Sequence, residues 1–149
     1  MLRVDIGILS YNEAKSLPAV VSGVIQAFSS MTNISGTILI INNGSKDETP
    51  GVIAELEKKY PQVRHLAIPV NRGYGYGVAE GLKALRGDVV GYMWGDNQFD
   101  PEIVGELVRL LETNPELNLV KTYRAKRFDG RQRLVVSRLY QWLFRLLYG

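Results

Sequence analysis

The sequence predicts an α/β fold, a mostly parallel sheet with helices on both faces, followed by a C-terminal amphipathic helix. Three observations predict it. Short Val- and Ile-rich runs alternate with segments of helical periodicity. Two of those helical segments open on Thr49-Pro50 and Asp100-Pro101, pairs that suit an N-cap followed by a first helical residue. Polar residues gather immediately after the apolar runs rather than inside them. Regular alternation of strand and helix favours parallel pairing, because each crossover helix carries the chain back to the edge it left.

Residues 4–9, 37–41, 63–68, 89–94 and 117–122 read as strands, each a short apolar run. Between them, 17–28, 50–59, 76–85 and 101–111 read as helices. The last of these places Ile103, Val104, Leu107, Val108 and Leu111 on one stripe. In the tail, Arg131, Arg138 and Arg145 recur every seven residues, with Leu139, Trp142, Leu143, Leu146 and Leu147 on other faces and Tyr140, Phe144 and Tyr148 interleaved. That pattern fits a helix lying in a membrane interface better than a core-packing helix with an arginine edge. Nucleic-acid binding is the weaker reading.

Composition excludes several chemistries. The chain has 149 residues, 46% of them hydrophobic and 22% charged, which is one ordinary domain. It has no cysteine and a single histidine, His65, so disulfides, thiolate metal sites and Cys–His catalysis are out, and a metal must sit on oxygen. The apolar run at 89–94 is far short of the roughly 20 residues that span a bilayer, and residues 1–5 carry no signal-peptide pattern. Nothing in the chain is expected to cross a membrane. The net charge of +3 conceals a split: residues 1–120 hold 10 Lys/Arg against 14 Asp/Glu, while 121–149 hold 8 against 1. A tail so basic meets lipid head groups, a phosphorylated substrate or nucleic acid, or is an ordinary basic surface.

Four polar segments follow the first four strands: Ser10-Tyr11-Asn12-Glu13, Asn42-Asn43-Gly44-Ser45, Asn71-Arg72-Gly73 and Gly95-Asp96-Asn97-Gln98. In a parallel sheet all four emerge at the carboxyl edge, where ligands bind at a switch in strand order. Asp96 and Gln98 are two apart, so an extended segment would aim both at one hard cation, Mg2+ or Mn2+. The same stretch also reads as a polar turn in which Asp100 caps the next helix. Asn42 and Asn43 offer amide donors and acceptors to a nucleobase or ribose, or simply build a turn with Gly44. Gly73, Gly75 and Gly77 lack the spacing of a dinucleotide fingerprint; with Arg72 they bring backbone to a phosphate or relieve crowding. No GxxxxGK[ST] sequence occurs, so P-loop phosphoryl transfer is unsupported.

Taken together, these segments resemble the family 2 glycosyltransferases of the GT-A (Rossmann-like) fold, in particular the polyprenyl-phosphate type that includes dolichyl-phosphate mannosyltransferases. Ser10-Tyr11-Asn12-Glu13 is similar to an opening "AYNE" signature, and residues 42–49 to "DDGSxDxT". Residues 71–75 are similar to "NxGxG", and residues 95–101 to the end of "DADxQxxP". Arg124, Arg127, Asp129, Arg131 and Ser137-Arg138-Leu139-Tyr140 resemble that subgroup's basic stretch and interface helix. Trp94 stands where the family usually has the first Asp of its metal motif, and Asn42 and Asn43 where two Asp are usual.

The resemblance implies a metal-dependent inverting transfer from a nucleotide diphosphate sugar to a polyprenyl phosphate, by an enzyme cytoplasmic and peripheral at the membrane surface. Residues 1–122 would be the nucleotide-sugar-binding core and 123–149 the acceptor and membrane segment. Ser10, Tyr11, Asn12, Glu13, Asn42, Asn43, Gly44, Arg72 and Gly73 would surround the donor. Asp96 and Gln98 would hold the metal. Arg124, with Arg127, Arg131 and Arg138, would meet the acceptor phosphate and the membrane. The chain ends where such relatives continue, as a fragment would. A catalytically silent nucleotide-sugar or membrane-binding fragment is the alternative reading, and a transferase acting on a hydroxyl acceptor is a third.

Overall fold

The computed structural model describes residues 1–123 together with 140, 142 and 144–147. The chain runs β1 (Leu2–Ser10), α1 (Leu17–Ser29), β2 (Ile34–Asn43), α2 (Thr49–Lys59), β3 (Val63–Ile68), α3 (Tyr74–Ala84), β4 (Val89–Trp94) and α4 (Ile103–Thr113). Residues 140, 142 and 144–147 are helical and exposed. All strand pairs are parallel, in the order β3-β2-β1-β4. The chain steps outward from β1 to β2 to β3, then crosses back to the far side of β1. Strand order therefore reverses between β1 and β4, and a crevice opens there at the carboxyl edge.

Central strands of such a sheet are covered on both faces and so carry unbroken apolar runs. From Val4 to Ser10 every residue of β1 is buried, as are residues 38–41 of β2. One face packs against α1, α2 and α4 through Val4, Ile6, Ile8, Ile38, Ile40 and Met93. Leu17, Val20, Val21 and Val24 of α1 are fully buried against it, each such side chain stabilising the fold by about 1.5–3 kcal/mol. The opposite face carries Leu9, Leu39, Ile41 and Ile68 under α3. Helices on both faces are as expected.

Close approach of α3 depends on Gly77 and Gly81. A Cβ at Gly77 would lie 2.6 Å from Leu9 Cδ1 and 3.3 Å from the Asn43 amide, and one at Gly81 would run into Ile41. These two glycines answer the question the sequence left open: crowding accounts for Gly77, whereas a Cβ at Gly73 or Gly75 would meet nothing within 4 Å.

Four expectations are corrected. Residues 117–122 are not a strand; they join neither open edge of the sheet, β3 or β4, and Leu119 is 76% exposed, because an apolar alternation becomes a strand only where it runs along an edge that supplies its hydrogen bonds. Thr49 is the first residue of α2, not its cap: its N–H goes to Asp47 Oδ1 at 3.0 Å and its hydroxyl serves another loop. Residues 95–98 form a turn, not an extended segment, with Asn97 left-handed at φ 57°. Asp100, expected to cap a helix beginning at Pro101, does not cap α4: the N-cap position is Glu102, and Asp100 Oδ1 accepts from Glu102 N–H at 3.0 Å in a turn that precedes the helix.

Candidate functional site

The four polar segments do meet at one edge. Leu9, Tyr11 and Glu13 from the end of β1, Asn43 from β2, Asn71 and Tyr74 from the approach to α3, and Trp94, Gly95 and Asp96 from the end of β4 line a cleft of about 230 Å³. It sits at the β1/β4 switch point. Glu13 and Asp96 put two carboxylates in the cleft lining, and Tyr11, Tyr74 and Trp94 supply partly exposed aromatic rings.

The first loop is locked onto the second by a set of local hydrogen bonds. Asn12, left-handed at φ 57°, donates its N–H to Ser45 Oγ at 3.1 Å, and its side-chain oxygen accepts from Lys46 N–H at 2.8 Å. Glu13 N–H donates to Thr49 Oγ1 at 2.9 Å, and Ala14 N–H to Asp47 Oδ2 at 3.4 Å. The Thr49 hydroxyl, helped by the N–H groups of Thr49 and Ala14, holds the Asp47 carboxyl below its ordinary range. Asn42 Oδ1 accepts from Ser45 N–H at 3.1 Å. Asn12 and Asn42, expected at the donor, thus have their side-chain oxygens committed to building the loops. Gly44, at φ 73°, lies against the backbone of Asn71.

Asn43 is different. Its side chain is 2% exposed; Nδ2 donates to Gly73 O at 3.2 Å and to Asn71 Oδ1 at 3.3 Å, while Asn71 Oδ1 also accepts from Gly73 N–H at 2.8 Å. Asn43 Oδ1 is buried and finds no hydrogen-bond partner among the described residues. A buried acceptor left open is costly unless something fills it, and this one belongs to a residue of the cleft. Ser10 Oγ is likewise buried without a partner, behind Gly95.

Asp96 Oδ1 accepts from Gln98 N–H at 3.1 Å, which closes the turn and leaves the other carboxylate oxygen outside that bond. Gln98 is exposed and outside the cleft wall. No group of three or more His, Asp or Glu capable of holding a metal occurs among the described residues, so a cation here would draw further oxygens from its ligand and from water. Arg72 sits with its guanidinium 4.9 Å from the centre of the Tyr76 ring, beside Gly73, the residue that opens α3. Trp94 stacks on Phe99 at 6.0 Å and meets Tyr92 edge-on at 5.7 Å. Arg124, Arg127, Arg131 and Arg138 lie outside the described residues. Sequence reasoning gave no site role to Tyr74, Asn71 or Ser16; the only sequence signal for the first two was their place in the loop around Gly73.

Comparison with known proteins bears on this edge directly. Over 139 residues the chain is 30% identical to the undecaprenyl-phosphate 4-deoxy-4-formamido-L-arabinose transferase of Yersinia pestis, covering 92% of this chain and 41% of that protein. It is 34% identical over 85 residues to a dolichyl-phosphate beta-glucosyltransferase of Trichomonas vaginalis, covering 54% of this chain and 26% of that one. The chain thus spans about two-fifths or less of these relatives. Mannosyl-3-phosphoglycerate synthase from Rubrobacter xylanophilus superposes with a TM-score of 0.71 at 24% identity, over 99% of this chain and 48% of that one. Glucosyl-3-phosphoglycerate synthase from Mycobacterium tuberculosis, solved with Mn2+, UDP and glucosyl-3-phosphoglycerate, superposes at 0.63 with 23% identity, over 93% and 51%. The fold is that of GT-A enzymes. A family model described as glycosyl transferase family 2 matches residues 5–147, running through every loop of the cleft, and the chain belongs to that family.

Proposed function

We propose that the chain is the donor-binding part of an inverting transferase that moves a sugar from a nucleotide diphosphate sugar to a polyprenyl phosphate. One observation carries the reading: a cleft at the strand-order switch is lined by Glu13, Asn43 and Asp96, and Asn43 Oδ1 is buried there without a partner among the described residues. The names of the undecaprenyl- and dolichyl-phosphate relatives support the acceptor class.

Tyr11, Glu13 and Asn43 hold the nucleoside. Ser10, Asn12, Asn42 and Gly44 shape the wall behind it. Arg72 and the backbone at Gly73 face the diphosphate. The oxygen donors suit a hard divalent ion, Mg2+ or Mn2+, held by Asp96 and not by Gln98, which lies outside the cleft wall. Such an ion, when bound, neutralises charge developing on the departing diphosphate. Arg124, Arg127 and Arg131 receive the acceptor phosphate, which is already anionic near neutral pH and attacks without a strong general base. Placement and charge stabilisation are then the main work of the protein.

Among the described residues no helix is long and apolar enough to cross a membrane. The helical residues Tyr140, Trp142, Phe144, Leu146 and Leu147 are 54–69% exposed. With Arg138 and Arg145 they support peripheral binding at the cytoplasmic membrane surface. A second reading, a catalytically silent binding module, is favoured by Trp94, an aromatic ring in the cleft wall at a position where the family usually has a carboxylate.

Thermal-shift measurements with UDP- and GDP-sugars, with and without Mn2+, followed by product formation on undecaprenyl-phosphate vesicles, test both. A ligand at 100 times its Kd stabilises by about 2.7 kcal/mol. Mn2+-dependent stabilisation with product supports the transferase. Binding indifferent to Mn2+ and without product supports the silent module. Absence of any stabilisation overturns both readings.

A further inference from the structure

Ser16 occupies the N-cap position of α1 yet makes no side-chain cap hydrogen bond. A serine there ordinarily turns its oxygen to the exposed N–H groups of the first turn, worth about 1 kcal/mol. Here the hydroxyl instead lies 2.7 Å from the Gly95 carbonyl oxygen and 2.8 Å from Glu13 Oε2. A third, longer contact reaches Glu13 O at 3.4 Å, and one proton is shared among these acceptors, so the β1–α1 loop and the β4–α4 loop are drawn onto one atom.

Each side of that bridge is already held elsewhere. Gly95 N–H donates to Leu9 O at 2.8 Å, and the residue is buried so tightly that a Cβ would lie 2.9 Å from Ser10 Oγ. With its carbonyl engaged by Ser16, Gly95 is pinned at both ends, and the chain leaves it directly into Asp96. Glu13 has its N–H fixed by Thr49, so the contact to Ser16 orients its carboxylate.

We propose that Ser16 is a positioning residue: its hydroxyl sets the Glu13 and Asp96 carboxylates relative to each other across the cleft, so that a cation and a nucleotide diphosphate bind without reordering either loop. Ser16 touches neither ligand. This inference rests on the donor-cleft reading. A supporting hydrogen bond of this kind is worth about 10- to 100-fold in metal affinity when removed.

The test uses the whole chain with UDP and GDP as probes. Nucleotide affinity is measured in EDTA, and Mn2+ affinity at saturating nucleotide, for wild type, Ser16→Ala, Ser16→Gly and Ser16→Thr. Ser16→Gly keeps a residue that suits the helix start, so the test survives should the alanine variant fail to fold. Expected for the Ala and Gly variants is Mn2+ binding weakened at least about 10-fold with metal-free nucleotide affinity, to which the Glu13 contact contributes, weakened less; Ser16→Thr restores wild-type metal binding. Unchanged Mn2+ affinity overturns the inference, as does equal weakening of metal and metal-free nucleotide binding, which is what general loosening produces. Wild type that binds neither nucleotide in a Mn2+-dependent way overturns the donor-cleft reading itself, and this inference with it.

Discussion

Asn43 Nδ2 donates to Asn71 Oδ1 at 3.3 Å, and that bond, with its partner to Gly73 O, leaves the opposite end of the same amide buried and open. The polarity is forced. Gly73 O only accepts, and Asn71 Oδ1 is already fixed as an acceptor by Gly73 N–H, so the amide cannot flip.

Asn43→Asp therefore does not restore a more typical family site. It sets a carboxylate against two acceptors at the start of α3, and the expected result is a loss of about 1–3 kcal/mol in urea unfolding. Asn43→Leu removes the open acceptor as well, and nucleotide-dependent thermal stabilisation disappears with it. Asn43→Asp at wild-type stability would show that the bond to the α3 loop contributes nothing.

Asp96 plays two separable parts. Its Oδ1 closes the turn to Gln98 N–H at 3.1 Å, and its charge faces the cleft. Asp96→Asn keeps an acceptor for the turn but removes the charge; Asp96→Ala removes both. The asparagine variant is expected to unfold at the wild-type temperature and the alanine variant a few degrees lower, with Mn2+-dependent nucleotide binding lost in both. Retained Mn2+ dependence in Asp96→Asn would take the cation away from this residue.

The alternation of strands and helices was legible in the sequence because each is a property of one segment's own period. The convergence of four polar loops followed from parallel pairing alone. What failed depended on a partner elsewhere in the chain. Residues 117–122 have a strand's pattern but join neither open edge of the sheet, β3 or β4. Thr49 before Pro50 looks like a cap, yet its hydroxyl answers Glu13, 36 residues away. Asp96 and Gln98 are two apart in sequence, but left-handed Asn97 breaks the extended geometry on which the spacing argument stood. Ser16 carried no signal, since nothing local distinguishes a serine that caps from one that reaches Gly95, 79 residues on.

At the opposite edge of the sheet, the Arg3 side chain bonds both oxygens of Asp88, the shorter at 2.6 Å, and Arg3 N–H adds a third bond. These bonds lower the Asp88 carboxyl from its ordinary 3.8 to about 2. A group held below its unfolded value contributes stability that is present above the unfolded pKa and is lost as pH falls through the folded one. Denaturation curves of wild type and Asp88→Asn should therefore differ by a constant amount above pH about 4 and converge between about 4 and 2. Because the pair lies at the start of β1 and just before β4, nucleotide binding in Asp88→Asn should stay at the wild-type level. Curves that remain parallel down to pH 2 would remove the pair from the acid sensitivity of the fold.

Two glycine-to-alanine changes should move stability in opposite directions for reasons visible in their surroundings. At Gly77 the added methyl would lie 2.6 Å from Leu9 Cδ1, so α3 must lift from the sheet or Leu9 must leave its rotamer; overpacking of this kind costs about 1–3 kcal/mol. The same methyl presses on the Asn43 amide at 3.3 Å, so nucleotide affinity should fall together with stability. At Gly51, inside α2, nothing lies within 4 Å of the new Cβ. Alanine there relieves the entropic cost of fixing a glycine in a helix and should stabilise by about 0.5–1 kcal/mol without changing nucleotide affinity. Equilibrium unfolding of the two variants side by side decides the matter. A Gly77→Ala protein as stable as wild type would show that α3 can sit further from β1 and β2, and that its close approach is not what holds Asn43 at the cleft.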